Sequence, residues 1–124
     1  MANGRLEVVS IPVSDTDLAK GFYVDKLGFR LIVDNEFEPG KRWLSVSVGE
    51  EAETVISLVA WDAKMVPGSA QGLIWKVDDL DTERERLNEA GVVVEEAFDT
   101  QWGRFAHFQD PDGNGWSLRE GNRS

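Results

Sequence analysis

The chain reads as an α+β fold built from two βαβββ modules in a single domain, and three observations carry that reading. An order of strand, helix and three further strands runs once along the chain and then repeats, with Val13-Ser-Asp-Thr-Asp-Leu aligning to Val77-Asp-Asp-Leu-Asp at an offset of 64 residues. Each helical stretch stops at a glycine, Gly28 or Gly91, that is followed at once by an apolar run. The runs after each helix alternate apolar and polar residues, the period of a half-buried strand. Two copies mean duplication of one module, since a solenoid needs at least three. The expected bounds are residues 5–62 and 71–120, joined by a linker at 63–70, within one domain spanning 1–124.

In the first module "RLEVVSIPV" is apolar and β-branched, a strand. "SDTDLAKGFYVDKLG" follows as a helix: Ser14 or Asp15 can cap it, and Ser14-x-x-Asp17 is close to a capping box. Leu18, Phe22 and Leu27 give its apolar face and Gly28 its stop. "FRLIVDNE", "RWLSVSVG" and "TVISLVAWD" are three strands, separated by Pro39-Gly40 and by "GEEAE". In the second module "GLIWKV" is the strand and "DDLDTERERLNEAG" the helix. Asp78 or Asp79 caps it, Leu80 and Leu87 anchor it, and Gly91 ends it. "VVVEEAF", "WGRFAHFQ" and "GWSLRE" complete the set as strands.

Alternation assigns faces to these strands. Val9, Ile11 and Val13 face the helix, so Leu6, Val8 and Ser10 face away. By the same parity Trp43, Ser45 and Ser47 face away, with Val55, Ser57, Val59 and Trp61. In the second module that face carries Gly72, Ile74, Lys76, Phe105, His107, Gln109, Ser117 and Arg119. Solvated faces do not concentrate Trp and Phe; this mixture of rings, hydroxyls and small residues suits the wall of a ligand cavity. Trp75 and Trp116 fall on the helix-facing parity and are expected in the core.

The 124 residues suffice for one buried core. With 13 basic and 23 acidic residues the net charge is −10, which argues against nucleic acid, whose phosphates would be repelled. Such a charge would favour a cationic ligand, although solubility is its plainer role. There are no cysteines, so disulfides and thiolate metal sites are excluded. No apolar run approaches the ~20 residues of a membrane span, and no leader pattern stands at the N-terminus, so a cytoplasmic protein is expected.

"DPDGNGWSLRE", residues 110–120, begins like a calcium loop, with Asp110, Asp112, Asn114 and Gly115 at its first, third, fifth and sixth positions. The twelfth position, where such a loop needs a bidentate Glu, is Gly121. The flanks are strands, whereas an EF-hand joins helices. Asp-Pro-Asp-Gly-Asn is also strong turn chemistry, and a hairpin turn is the expectation.

"IPVSDTDLAKGFYVDKLGF", "WKVDDLD" and "FQDPDGNGWSL" together resemble the vicinal oxygen chelate superfamily, which includes glyoxalase I, extradiol dioxygenases, and the fosfomycin- and bleomycin-resistance proteins. The resemblance runs from about Arg5 to Glu120 and implies two βαβββ modules curved as a mixed sheet around a cavity, commonly in a homodimer. It specifies the fold more than the activity. Enzymes of the superfamily hold a divalent metal with His, Gln or Glu from four strands, and the metal chelates neighbouring substrate oxygens and stabilises developing negative charge. The corresponding positions here are Val8, Ser57, Gly72 and Ser117. Val and Gly offer no donor side chain, and a neutral hydroxyl is a poor ligand beside imidazole or carboxylate. No metal or other cofactor is therefore expected.

The resemblance then points to the bleomycin-resistance branch: a metal-independent binder that sequesters a cationic or aromatic compound without altering it. Trp43, Ser45, Ser57, Trp61, Trp102, Phe105, His107 and Ser117 are the candidate ligand-binding residues. For the rings the competing reading is core packing, and for the serines it is simply small size. His107, the only histidine, is also the candidate catalytic base, but no partner carboxylate at fixed spacing marks a dyad. Lys76 and Arg119 read as strand-end cations that reach solvent or pair with nearby acids, the alternative being an anion contact inside the cavity. Two further readings stay open: a metal-dependent or metal-free lyase, dioxygenase or isomerase, and a partner-binding module without a small ligand. The expected partners are a small molecule and a second copy of the chain, with neither nucleic acid nor membrane.

Overall fold

A computed structural model describes residues 2–50 and 54–121. Its elements are β1 (Val8–Pro12), α1 (Thr16–Lys20) with a π-helical continuation (Gly21–Lys26), β2 (Arg30–Glu38), β3 (Lys41–Ser47) and β4 (Val55–Val59), then β5 (Leu73–Lys76), α2 (Leu80–Glu89), β6 (Phe98–Thr100), β7 (Gly103–Gln109) and β8 (Gly115–Glu120). The strands form two sheets of identical plan, in orders β1-β4-β3-β2 and β5-β8-β7-β6. In each, the first strand pairs in parallel with the last and the remaining pairs are antiparallel. The duplication read from sequence is thus a duplication of topology, with one sheet per module and no closure between them.

Asp15 caps α1, its carboxylate accepting from the backbone N–H groups of Asp17 and Leu18 at 2.9 and 3.2 Å. Ser14 lies outside the cap, so the expected capping box does not form. Leu18 is mostly exposed; the buried face is Ala19, Phe22, Tyr23 and Leu27. The wide turn that bonds Leu27 N–H to the Phe22 carbonyl brings Tyr23 and Leu27 inward together. On α2 the cap is Asp79, which accepts from Thr82 N–H at 3.1 Å, and Leu80 and Leu87 are fully buried as expected.

One apolar cluster takes residues from both halves, including Ile11, Phe29 and Leu58 from the first and Trp75, Leu87 and Trp116 from the second. The expected strand "VVVEEAF" is corrected. Val92 and Val94 are buried and Val93 exposed, so the alternation is real. Yet Val94 N–H bonds to the Asn88 side chain and Glu95 N–H to the His107 carbonyl, and a ladder begins only at Phe98. Val92 and Val94 sit there as anchors of a segment pressed on the core.

The "DPDGN" stretch is a turn that ties the halves together. Asp110, nearly buried, accepts from the N–H groups of Asp112 and Asn114 on one oxygen, both at 2.9 Å. Its other oxygen accepts from the Tyr23 hydroxyl at 2.8 Å and from Asn114 Nδ2 at 2.7 Å. Asn114, fully buried, also donates to the Pro12 carbonyl at 2.8 Å and accepts from Ala70 N–H at 3.0 Å. Burial, and then the Asp110 charge, push the Tyr23 phenol above its ordinary pKa, so it stays a donor. Every oxygen of Asp110 already serves two donors, leaving nothing for a cation.

An outer network fixes α1 to the first sheet. Asp34 accepts from Arg42 at 2.7 and 3.0 Å and from Lys20 at 2.7 Å, while Arg42 also reaches Asp17. The Arg42 hydrogen bonds, then that from Lys20, hold the Asp34 carboxyl well below the usual carboxylate range. A carboxylate with a depressed folded pKa stabilises above its unfolded pKa and loses that stabilisation as pH falls through the folded value. Asp34→Asn is therefore expected to cost about 1 kcal/mol at pH 7, a figure reduced for solvent screening. The gap from the unsubstituted protein should narrow below about pH 4. Urea titrations at pH 7 and at about pH 3, below the unfolded carboxylate pKa, check both parts.

Candidate functional site

The register fixes which residues share the sheet faces opposite the helices. Ser57 on β4 lies beside Ser10 on β1 and Ser45 on β3, and Val55 lies beside Val8. On the second sheet Ser117 on β8 lies beside Ile74 on β5 and His107 on β7. Ser45 and His107 therefore occupy equivalent positions in the two modules, as do Ser57 and Ser117. Two residues earlier on the same strands, Trp43 and Phe105 are also equivalent.

Each face carries a ring cluster. On the first, Phe37 meets Trp43 edge-on at 6.4 Å and Trp61 edge-on at 5.6 Å, and Lys41 stands 5.9 Å over the Trp61 ring. All three rings are open to solvent: Phe37 is 45% exposed, Trp43 47% and Trp61 42%. On the second, Phe98 stacks on Phe105 at 6.0 Å and 20°, and packs against His107 at 5.1 Å. Each face also pairs a ring nitrogen with a hydroxyl. Trp43 Nε1 donates to Ser45 Oγ at 2.8 Å, and His107 Nδ1 lies 2.6 Å from Ser117 Oγ.

The structure thus gathers Trp43, Ser45, Ser57 and Trp61 on one face and Phe105, His107 and Ser117 on the other. Trp102 joins neither cluster: it is exposed in the β6–β7 turn, where its carbonyl accepts from Arg119 Nε at 3.0 Å. Ser45 is buried beneath Trp43, and its hydroxyl is already engaged. Sequence reading missed Phe37 and Phe98. The register shift between Leu31 and Val33 sets Val33 and Asn35 opposite Ser45 and Trp43, and Phe37, two residues on, shares their open face. Phe98 opposes Phe105 across a hairpin whose register does not follow from a strand expected over Val92–Phe98. A cleft of about 760 Å³ adjoins the second face; His107, Ser117, Gly72 and Gln109 line it, with Phe22 and Lys26 from the helical segment.

The four positions at which related enzymes ligate a metal do not suit one. Val8 and Ser57 lie on the first face and Gly72 and Ser117 on the second, in matching registers. Gly72 has no side chain and sits at φ +80°, a conformation a histidine would adopt only with strain. The Ser117 hydroxyl is held by His107. Among the described residues no group of three His, Asp or Glu gathers to hold an ion, and no helix is long and apolar enough to cross a membrane.

Comparison with known proteins agrees with this architecture. The family model of the Glyoxalase/Bleomycin resistance protein/Dioxygenase superfamily matches residues 5–118. The uncharacterized protein YetH of Bacillus subtilis (strain 168) is 32% identical over 120 residues, covering 94% of this chain and 98% of its own. The crystal structure of TnmS3, an antibiotic binding protein from Streptomyces sp. CB03234, superposes with a TM-score of 0.91 at 43% identity, covering 98% of this chain and 99% of that one. A glyoxalase/bleomycin resistance protein from the same strain gives 0.82 at 44% identity, over 94% and 100%. Repeated topology, matched faces and these similarities place the chain in the Glyoxalase/Bleomycin resistance protein/Dioxygenase superfamily.

Proposed function

We propose that this protein is a metal-independent binder that sequesters a flat aromatic compound in the cytoplasm, unaltered, in a cavity completed by a second copy of the chain. The exposed Phe37–Trp43–Trp61 cluster carries the reading. Three large rings left half-open on one sheet face cost solvation unless something flat covers them. The equivalent Phe98–Phe105 stack offers a second wall, and a homodimer that brings the two kinds of face together would enclose a ligand between them. Likeness to a protein described as an antibiotic binding protein supports the class of function. The faces supply rings and hydroxyls, so of the two ligand types expected from sequence the aromatic one is favoured. The module bounds 5–62 and 71–120 belong to the same reading.

The alternative is a metal-free enzyme, favoured by the 2.6 Å His107–Ser117 contact, which places a base beside a hydroxyl. One set of measurements separates the two. Tag-free protein should hold well below one equivalent of Mn, Fe, Ni or Zn by elemental mass spectrometry, even after dialysis against each. A planar aromatic compound should quench Trp fluorescence at one site per subunit and be recovered unchanged. Conversion of that compound, abolished by His107→Ala, is the result that transfers the assignment to an enzyme. One tight metal per subunit would mean that other side chains supply the ligands.

A further inference from the structure

One row across the second sheet sets two cations side by side. Lys76 on β5 lies beside Arg119 on β8, Arg119 beside Phe105 on β7, and Phe105 beside Phe98 on β6. Strand parity turns all four to the open face. Like charges directly opposite each other on a sheet destabilise it unless an anion joins them. Arg119 spends Nε on the Trp102 carbonyl, and neither cation forms an ion pair among the described residues. This is unexpected in a chain with 23 acidic residues and 13 basic ones. Asp78, Asp79 and Glu83 do border, with Lys76, a smaller cleft at the start of α2. The strand residues of the two open faces, however, include no Asp, and the one Glu, Glu38 at the end of β2, is ion-paired with Lys41.

We propose that Lys76 and Arg119 form an anion subsite for the carboxylate or phenolate of the ligand, whose rings lie along Phe105 and Phe98. The proposal rests on the binding function above and names its ligand class: a flat aromatic acid. Guanidinium and ammonium groups together suit one carboxylate, the first through paired N–H donors and the second as a point charge. The stacked phenyl pair, 6.0 Å apart, sets the adjacent surface on which a ring system continues.

Three isosteric probes test it by Trp quenching: anthraquinone-2-carboxylate, the 2-carboxamide and the cationic 2-aminomethyl compound. The carboxylate is expected to bind about tenfold more tightly than the carboxamide, the ratio one hydrogen bond to a charged group is worth, with the cation weakest. Lys76→Gln and Arg119→Gln should each bring the carboxylate to about the carboxamide's affinity and leave carboxamide binding unchanged. Equal binding of the three probes overturns the subsite and leaves the binding function standing. Failure of all three to bind overturns both. Variants that keep the carboxylate-to-carboxamide ratio, or whose only change is a weaker dimer by sedimentation, assign the two cations to another role and overturn the proposal.

Discussion

Asn114→Ala is expected to remove about 3–5 kcal/mol of folding stability, a large part of the 5–15 kcal/mol a domain of this kind possesses. The side chain is fully buried and contacts three parts of the chain at once. Without it the Pro12 carbonyl and the Ala70 N–H lose their partners at 2.8 and 3.0 Å, and Asp110 loses a donor at 2.7 Å. A buried polar group left unpaired costs about 1–3 kcal/mol, and here there are two besides the carboxylate. Asp112→Asn provides the contrast. Among the described residues its carboxylate accepts only from the exposed Ser14 N–H, at 3.0 Å, so a loss of at most about 1 kcal/mol is expected. Urea denaturation of the two variants measures the difference. Equal losses would mean that the turn is held by its backbone shape and not by Asn114. Millimolar calcium should leave the melting temperature of the unsubstituted protein unchanged, because both Asp110 oxygens are already occupied by donors.

The features legible in sequence were those with a local cause. Both glycine stops and the inward parity of Ile11, Val13, Trp75 and Trp116 follow from residue type and spacing alone, and each helix cap is one of the two candidates that residue type offered. The inward turn of Tyr23 was not legible, because a π-helical widening has no spacing signature and shows itself only once Leu27 and Phe29 bond back to Phe22 and Tyr23. Nor were the partners of Asp110: the motif reads as a turn, but Tyr23 lies 87 residues away and only the packed core brings it there. On the open faces the rings were predictable singly and their grouping was not. Phe37 depends on a register shift, and Phe98 on where a hairpin begins. At the four metal-ligand positions residue type speaks against a metal, and to this the structure adds the backbone of Gly72.

Trp43→Ala and Trp116→Ala should have opposite consequences, although both replace a strand tryptophan. Trp116 is buried, stacks on Phe108 at 6.1 Å and 12°, meets Phe29 at 5.7 Å and donates to the Tyr23 hydroxyl at 3.1 Å. Its loss opens a cavity and strips that hydroxyl of a donor, so a cost of about 3–5 kcal/mol is expected. Trp43 is half-exposed on the open face, with one edge contact to Phe37 and one hydrogen bond to Ser45. Its removal should change stability by about 1 kcal/mol or less. Affinity for a flat aromatic probe should instead fall about 10- to 100-fold, the effect of deleting a central aromatic contact. Isothermal titration gives the affinity without relying on the fluorophore that was removed, and urea denaturation gives the stability. Should Trp43→Ala unfold the protein as readily as Trp116→Ala, the open face is core and the binding function loses its wall. Should it change neither quantity, the ligand lies elsewhere, and the cleft beside His107 and Ser117 becomes the place to substitute next.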